Sequence, residues 1–270
     1  LDTTYRIPAP SHKIISKGFY NDLLNAYTNV DTRLDYRENL VREFEDFIKS
    51  SQIADKINDA VSNDIGVVYI KVGDTSYRDF QGENIDKKRA CIAVKAAIAA
   101  TIVTGKNTTI LPIYKDMVNY IKFIIKAEEK FSSYIKRLEK HDIHISVATA
   151  HSFLGAEDDN VILVLGKEYL PGSLDLFYST TIYFNEPEIF NVQFSRHKAL
   201  LVIVGNVERL LRNSKKVIKR YHSVKSKGLL DVMLYSNSLM LRDSSEEILE
   251  LCGIEIKGNK SEVKRHTGMC

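Results

Sequence analysis

The sequence predicts an α/β fold in which a mostly parallel β-sheet is covered by helices on both faces. Short runs of β-branched and apolar residues alternate with long stretches of helical periodicity. The runs are apolar along their whole length, which is typical of strands buried on both faces of a sheet. Helices between such strands supply the crossover connections that parallel strands require.

The predicted elements follow one another in a simple order. Five strands are expected, at 67–72, 108–111, 143–148, 160–165 and 199–205. Helical patterns separate several of them, at 85–104, 114–140 and 207–221. Residues 17–64 are rich in charge at helical spacing, which predicts an inserted helical region packed against the sheet or extending from it. The pattern loosens after residue 222, so we expect a main domain at 1–222, with its insertion at about 30–64, and a C-terminal extension at 223–270.

The composition is that of an ordinary globular protein. The 270 residues are 44% hydrophobic and 27% charged, and the net charge of +3 does not imply a nucleic-acid partner without local clustering. The three cysteines are far apart, which suits a reducing compartment and gives no zinc spacing. No apolar run would span a membrane, and the first residues are not a signal peptide. We therefore expect a cytoplasmic protein without a metal site, and the missing initial methionine indicates a segment of a longer polypeptide.

The pair Gly105-Lys106 invites comparison with the phosphate-binding P-loop, G-x-x-x-x-G-K-[ST]. Ala100 occupies the position of the first glycine, and Asn107 replaces the final serine or threonine. The order of elements also differs, because a helical pattern precedes the glycine and a strand follows it. Gly105 is therefore predicted to cap a helix C-terminus, and no P-loop occurs elsewhere in the chain.

Polar residues near the tips of two predicted strands are the candidates for chemistry. The strand at 143–148 runs into the segment 149–157, which contains a glycine turn. Because ligands of open α/β sheets bind beyond the carboxyl ends of strands, function is expected there. A second block, 195–198, lies just before the last strand. From the residues alone, Arg196 in this block is more often a structural residue than a phosphate ligand.

The two blocks, in this order, resemble motifs V and VI of superfamily 1 helicases, most closely the branch with the nonsense-mediated-decay and nidovirus helicases. Motif V, T-x-H-x-F-Q-G-x-E-x-D-x-V-I, is matched at Thr149, His151, Phe153, Gly155, Glu157, Asp159, Val161 and Ile162. Motif VI, N-V-A-[LI]-[TS]-R-A-[KR], is matched at Asn191, Val192, Ser195, Arg196 and Lys198. The family's L-x-x-x-Y-R and F-Y-x-x-x-L segments are matched at Leu1, Tyr5, Arg6, Phe19, Tyr20 and Leu24. A degraded motif IV is matched at Tyr114 and Lys115.

The resemblance implies the second RecA-like domain of an ATP-dependent helicase that acts on single-stranded RNA or DNA. In that family the first RecA-like domain of the same polypeptide carries the P-loop and the Mg²⁺ ligands. ATP with Mg²⁺ then binds between the two domains. This division accounts for the missing P-loop, and the present chain alone is expected to be catalytically inactive.

The resemblance also implies individual roles. Contacts to the γ-phosphate would come from Arg196, as an arginine finger, and from Arg6, because a planar guanidinium stabilises charge on transferring oxygens. The nucleotide would further be bound by Gly155 through its backbone N–H, by Glu157 through the ribose hydroxyls, and by Tyr5. The nucleic-acid strand would be contacted by Thr149, His151, Tyr114 and Lys115.

Several positions depart from the family pattern. Motif V has Leu154 in place of glutamine, and motif VI has Gln193 and His197 in place of small residues. Such changes are typical of a divergent viral or plasmid-borne relative, or of a motor that has partly lost catalysis. Two functions therefore remain open: a nucleic-acid-dependent ATPase and helicase, or a non-catalytic RecA-like module that binds nucleic acid or a protein partner.

Overall fold

The protein is described here from a computed structural model, over residues 2–72, 84–167 and 182–256. Its centre is a five-stranded sheet in which all strands are parallel, with the order β3-β7-β6-β4-β5. The strands are β3 (Val67–Lys71), β4 (Thr108–Pro112), β5 (Ile145–Val147), β6 (Asp158–Val164) and β7 (His197–Gly205). A separate parallel pair is formed by β1 (Thr3–Thr4) and β2 (Asn25–Ala26). The predicted α/β fold with a mostly parallel sheet is confirmed.

The helices form a layer on each face of the sheet. One layer comprises α2 (Glu38–Glu43), α3 (Glu45–Lys49), α4 (Gln52–Ser62), α5 (Lys87–Thr104), α6 (Lys115–Ala127) and α7 (Glu129–Glu139). The other comprises α1 (Lys13–Phe19), α8 (Ile182–Asn185), α9 (Pro187–Phe194), α10 (Val207–Ser223) and α11 (Leu229–Leu251). No helix in the described ranges is long and apolar enough to cross a lipid bilayer.

The central strands explain why the sequence shows continuous apolar runs. Every residue from 199 to 205 in β7 is buried. Side chains alternate between the two cores, so that Val202 packs with α5 and its neighbours, while Leu201 and Ile203 face the opposite layer. With both faces covered, neither set of positions tolerates polar residues. Arg196 directly precedes β7, so the position of this buried strand also determines where Arg196 lies.

Gly105 ends α5 as predicted. It adopts a left-handed conformation, with φ of 62°, and its N–H donates to the carbonyl of Thr101. At the other end of α5 the Asp86 carboxylate accepts from the N–H of Arg89. The Gly105-Lys106 pair therefore belongs to a helix C-cap and not to a phosphate-binding loop.

Two helical predictions were too simple. The stretch 114–140 forms two helices, α6 and α7, which meet at Glu128 in extended conformation. The charged region before β3 forms several short helices instead of one long one, and a 3₁₀ turn at Val30–Thr32 precedes them. Short helices of this kind are stabilised by packing on the sheet, because an isolated helix of fewer than about 12 residues is only marginally stable in water.

Helix α11 was missed in the sequence, where the pattern after residue 222 had indicated looser structure. Its buried stripe has intervals of four, three, four and three residues, and it comprises Leu234, Ser238, Leu241, Ser245 and Ile248. Two of these five positions are serines, which hide the apolar periodicity. The helix packs against α1 and α10, so residues 229–251 are part of the packed structure.

The contact between α1 and α11 is unusually close. A Cβ atom built on Gly18 would overlap the Ser244 hydroxyl and lie 2.7 Å from the Met240 carbonyl oxygen. Next to this point Lys17 pairs with Glu247, whose carboxylate is almost fully buried. The small residue and the ion pair together set how near the two helices lie.

We therefore predict that Gly18→Ala destabilises the protein. In an unconstrained helix this change stabilises by up to about 1 kcal/mol, because alanine has the higher helix propensity. Here the overlap should reverse the sign, with a loss of about 1–3 kcal/mol. Urea unfolding of the wild type and the variant measures the difference. A variant as stable as the wild type would show that α11 does not pack on α1 in solution.

Candidate functional site

The predicted site residues fall into two groups at opposite ends of the sheet. Arg196 precedes β7, and Glu157 precedes the adjacent β6, so both lie at the amino ends of the strands. Lys115 and Thr149 follow the carboxyl ends of β4 and β5. The expectation that the segment 149–157 lies beyond the carboxyl ends is correct only for its first residues, because the segment crosses to the other end of the sheet.

At the amino ends, Glu157 binds two cations from different parts of the chain. The Arg6 Nε lies 2.6 Å from one carboxylate oxygen, and the Lys198 Nζ lies 3.4 Å from the other. Burial raises the pKa of Glu157, but the neighbouring Lys198 and Arg6 outweigh it, and the net pKa lies below its ordinary value. The carboxylate is therefore ionised at neutral pH and joins the N-terminal segment to β7.

Arg196 is buried beside this cluster. Only 9% of its surface is exposed, and its Nε donates to the carbonyl of Val192 at 3.0 Å, in the last turn of α9. Burial lowers the pKa of Arg196, and the nearby Arg6 lowers it further, while Glu157 acts in the opposite sense. Among the described residues no carboxylate forms an ion pair with Arg196.

The cluster thus has an excess of positive charge. Arg6, Arg196 and Lys198 lie around the carboxylate of Glu157, and Asp158 is a second carboxylate near Lys198, so the three cations outnumber the two carboxylates. A buried guanidinium without a carboxylate partner is costly, and an incoming anion would relieve that cost. The chemistry of the cluster is therefore that of an anion site, suited to phosphate oxygens.

Arg33 holds this cluster together, although sequence analysis did not identify it. Its guanidinium donates to the backbone carbonyls of Tyr5 at 2.6 Å, Arg6 at 3.1 Å and Lys198 at 3.4 Å. One side chain therefore fixes the backbone of the two segments whose cations, Arg6 and Lys198, pair with Glu157. No sequence signal marks this role, because backbone carbonyls do not depend on residue type.

His197 provides a second connection between the same segments. It is fully buried, and its Nε2 lies 2.6 Å from the Ser11 hydroxyl, which in turn donates to the carbonyl of Pro8. Burial, together with the positive charge of Arg33, lowers the pKa of His197 to about 3. The imidazole is therefore neutral and structural. This departure from the family pattern anchors the segment that carries Arg6.

Tyr5 lies at the edge of the cluster in an exposed aromatic pair. The parallel pairing of β1 and β2 brings Tyr5 beside Tyr27, with ring centroids 4.8 Å apart and planes inclined by 37°. Both rings are about two-thirds exposed. Gly155 is also exposed, and its φ of 81° is a conformation that few other residues adopt. The predicted nucleotide-binding residues are thus accessible around the arginines.

The second group of predicted residues lines one groove of about 670 Å³ at the carboxyl ends of β4 and β5. The groove brings together all four residues predicted to contact nucleic acid, namely Tyr114, Lys115, Thr149 and His151. Thr149 is fixed by reciprocal hydrogen bonds with Ser152, while the Tyr114 hydroxyl accepts from the backbone N–H of Lys167. Sequence analysis missed two further lining residues, Asn119 and Lys122.

No group of three or more histidine, cysteine, aspartate or glutamate side chains within the described ranges could hold a metal ion. The site as described consists of cations around the Glu157 carboxylate, together with hydroxyls, an imidazole and aromatic rings.

Comparison with known proteins identifies one family. A family model described as an AAA domain matches residues 1–208, and this family is helicase-like and related to superfamily 1 helicases. The match covers both groups of site residues, the inserted helices and β7, and it ends at the beginning of α10. No curated protein matches the sequence.

The buried imidazole generates a prediction about pH. The pKa of His197 is about 3 in the folded protein and about 6.5 when it is unfolded, so the unfolded state binds the extra proton between these values. The contribution of neutral His197 to the free energy of unfolding is fully present above pH 6.5 and is lost as the pH falls toward 3. The free energy of unfolding should fall by up to about 1.4 kcal/mol per pH unit for this one proton.

His197→Gln is the matched variant, because glutamine can donate to Ser11 without titrating. Urea unfolding of both proteins between pH 7 and 4.5 should give a flatter pH dependence for the variant. Identical slopes would show that His197 is not buried in its neutral form.

Proposed function

The chain belongs to this family of helicase-like AAA domains, and from that premise we propose that it is the second motor domain of a nucleic-acid-dependent ATPase. The observation that carries the proposal is the cation cluster, in which a buried Arg196, without a carboxylate partner in the described part of the chain, lies beside Arg6. A partner domain with a P-loop would present ATP to this surface. The specific relationship to the nonsense-mediated-decay and nidovirus branch is part of the proposal.

In this function the arginines stabilise charge during phosphoryl transfer. Negative charge accumulates on the transferring oxygens, and a guanidinium held in position by packing meets it without reorganisation. Arg196 is held by Val192 and by burial, so it would act as the arginine finger. Arg6 would make the second γ-phosphate contact. Mg²⁺ would neutralise the phosphates further, and its ligands are assigned to the partner domain.

Glu157 would have two successive partners. In the structure its carboxylate pairs with Arg6 and Lys198. A phosphate group that takes over Arg6 would leave a carboxylate oxygen to accept from the ribose hydroxyls. The exposed Gly155 N–H and the Tyr5 ring lie on the same side of the domain and would complete nucleotide binding.

The groove at the carboxyl ends of β4 and β5 would hold the single strand. Hydroxyl, imidazole and ammonium groups donate to phosphate oxygens, and these are the groups that Thr149, His151 and Lys115 place there. The residues 148–157 connect this groove to the cation cluster, since the segment begins after β5 and ends before β6. Strand binding at one end of the segment would therefore change the positions of Gly155 and Glu157 at the other end.

The departures from the family pattern do not favour a non-catalytic module. Gln193 is buried, where it donates to the carbonyl of Leu111 and accepts from the Tyr183 hydroxyl. His197 is likewise buried, and Leu154 is exposed. None of these side chains takes the place of an arginine in the cluster. They change local packing while the charged groups remain.

Arg196→Ala should depress kcat far more than ATP affinity in the polypeptide that carries both motor domains. Arginine fingers contribute about 10³–10⁵ to kcat. Arg196→Lys should restore little, because an ammonium cannot reproduce the planar fork. Arg42→Ala, which removes an exposed arginine on α2, is the control and should leave kcat unchanged.

Turnover and melting temperature are measured together for these variants. If Arg196 is only structural, its loss lowers the melting temperature and leaves turnover per folded molecule intact. A folded Arg196→Ala protein that retains more than about a tenth of the wild-type kcat would contradict the finger role.

Replacing both Thr149 and His151 by alanine should weaken single-strand binding and reduce the stimulation of ATPase by nucleic acid. The effect should be similar for different sequences and should depend on salt, because phosphate contacts do not read bases. ATP affinity should change little. His144→Ala, at the amino end of β5, is the control. Titrations of labelled strands at two salt concentrations measure the effect, and unchanged affinity would remove both residues from the interface.

A further inference from the structure

Helix α6 carries a row of polar side chains that extends away from the groove. Lys115, Asn119, Lys122 and Lys126 follow one another at intervals of four, three and four residues, which places them on one stripe of the helix. The first three line the groove. By the helical rise, Lys122 lies about 10 Å further along α6 than Lys115. The groove therefore continues from the carboxyl ends of the strands along the side of the domain.

Phe123 stands beside this row and is 61% exposed. The apolar face of α6 is formed by other residues, namely Met117, Val118, Ile121 and Ile124, so the core does not require this ring. The half-buried Tyr120 lies against it, with ring centroids 6.3 Å apart and planes inclined by 34°. Surfaces that bind single strands by base stacking typically combine an accessible, supported aromatic ring with neighbouring lysines.

The charge of α6 fits the same ligand. The helix has three lysines and one carboxylate, Asp116, which accepts from the backbone N–H of Asn84 and thereby caps the neighbouring segment. The exposed stripe therefore carries three lysines and the neutral Asn119, with Asp116 beside Lys115 in the groove lining. A polyanion with flat apolar bases matches both the lysines and the ring, whereas an acidic peptide would match only the lysines.

We propose that Phe123 and Lys122 form a second contact for single-stranded nucleic acid, in which a base stacks on Phe123 while Lys122 and Lys126 hold phosphates. The inference rests on the proposed function, because it extends the strand path that begins at Thr149 and His151. It adds a position where affinity comes from base stacking, so binding should depend on strand length beyond the groove itself.

The test uses the complete 270-residue chain with labelled oligo(dT) and oligo(U) of graded length. Binding is followed by fluorescence anisotropy at several salt concentrations, and strands with thiolated bases are photo-crosslinked to locate the stacked base. The variants are Phe123→Ala and Lys122→Gln. The controls are Leu23→Ala, which removes an exposed apolar side chain near α1, and Lys140→Gln, which removes an exposed lysine after α7.

Phe123→Ala should weaken binding about five-fold or more, the low end of what base–aromatic stacking supplies, and should shorten the strand length needed for full affinity. The crosslink to residue 123 should disappear, and the melting temperature should not change. Lys122→Gln should reduce the slope of log affinity against log salt by about 0.7, the value for one phosphate contact in a single strand. Both controls should bind as the wild type does.

Three outcomes would overturn the inference. If both variants bind like the wild type while Thr149→Ala with His151→Ala binds weakly, the strand does not reach Phe123, and the proposed function stands without this contact. If the controls lose as much affinity as the variants, the effect is not specific to α6. If the wild-type chain binds no strand even at low salt, the strand path and the nucleic-acid part of the proposed function fail together.

Discussion

The contact of Glu157 with Arg6 and Lys198 is the interaction around which the amino-end site is arranged. These three residues come from the N-terminal segment, from the connection before β6 and from β7, so one carboxylate joins three parts of the chain. Arg33 adds hydrogen bonds to the backbone of the first and third parts. Because these segments cannot move independently, Arg196 is presented beside Arg6 at a defined place, with its charge still available to an anion.

The strands and their mostly parallel sheet were predictable, whereas the hydrogen bonds of Arg33 around the site were not. Continuous apolar runs such as that of β7 arise because both faces of the strand are buried, and Gly105 could be identified as a cap because a left-handed position favours glycine. Arg33 acts through backbone carbonyls 27 and 165 residues away, which leaves no local pattern. Helix α11 escaped prediction because serines occupy part of its buried face.

The site residues show the same contrast between features that the sequence predicts and features that only the structure reveals. Arg196, Arg6 and Glu157 were identified from motifs and are brought together by the fold, and the four groove residues are brought together at the opposite end of the strands. What the motifs could not supply was the geometry between the two groups. The segment 148–157 crosses from the carboxyl ends of the strands to their amino ends, so it offers a physical route by which strand binding would influence ATP hydrolysis.

The central claim is that this chain completes an ATP site whose phosphate cradle lies on another domain. Steady-state ATP hydrolysis by the purified 270-residue chain tests it most directly, with and without single-stranded nucleic acid. The account predicts turnover no higher than the background of a buffer control, because no P-loop is present in the sequence. Clear turnover by the chain alone, abolished by Arg196→Ala, would contradict the division of the site between two domains.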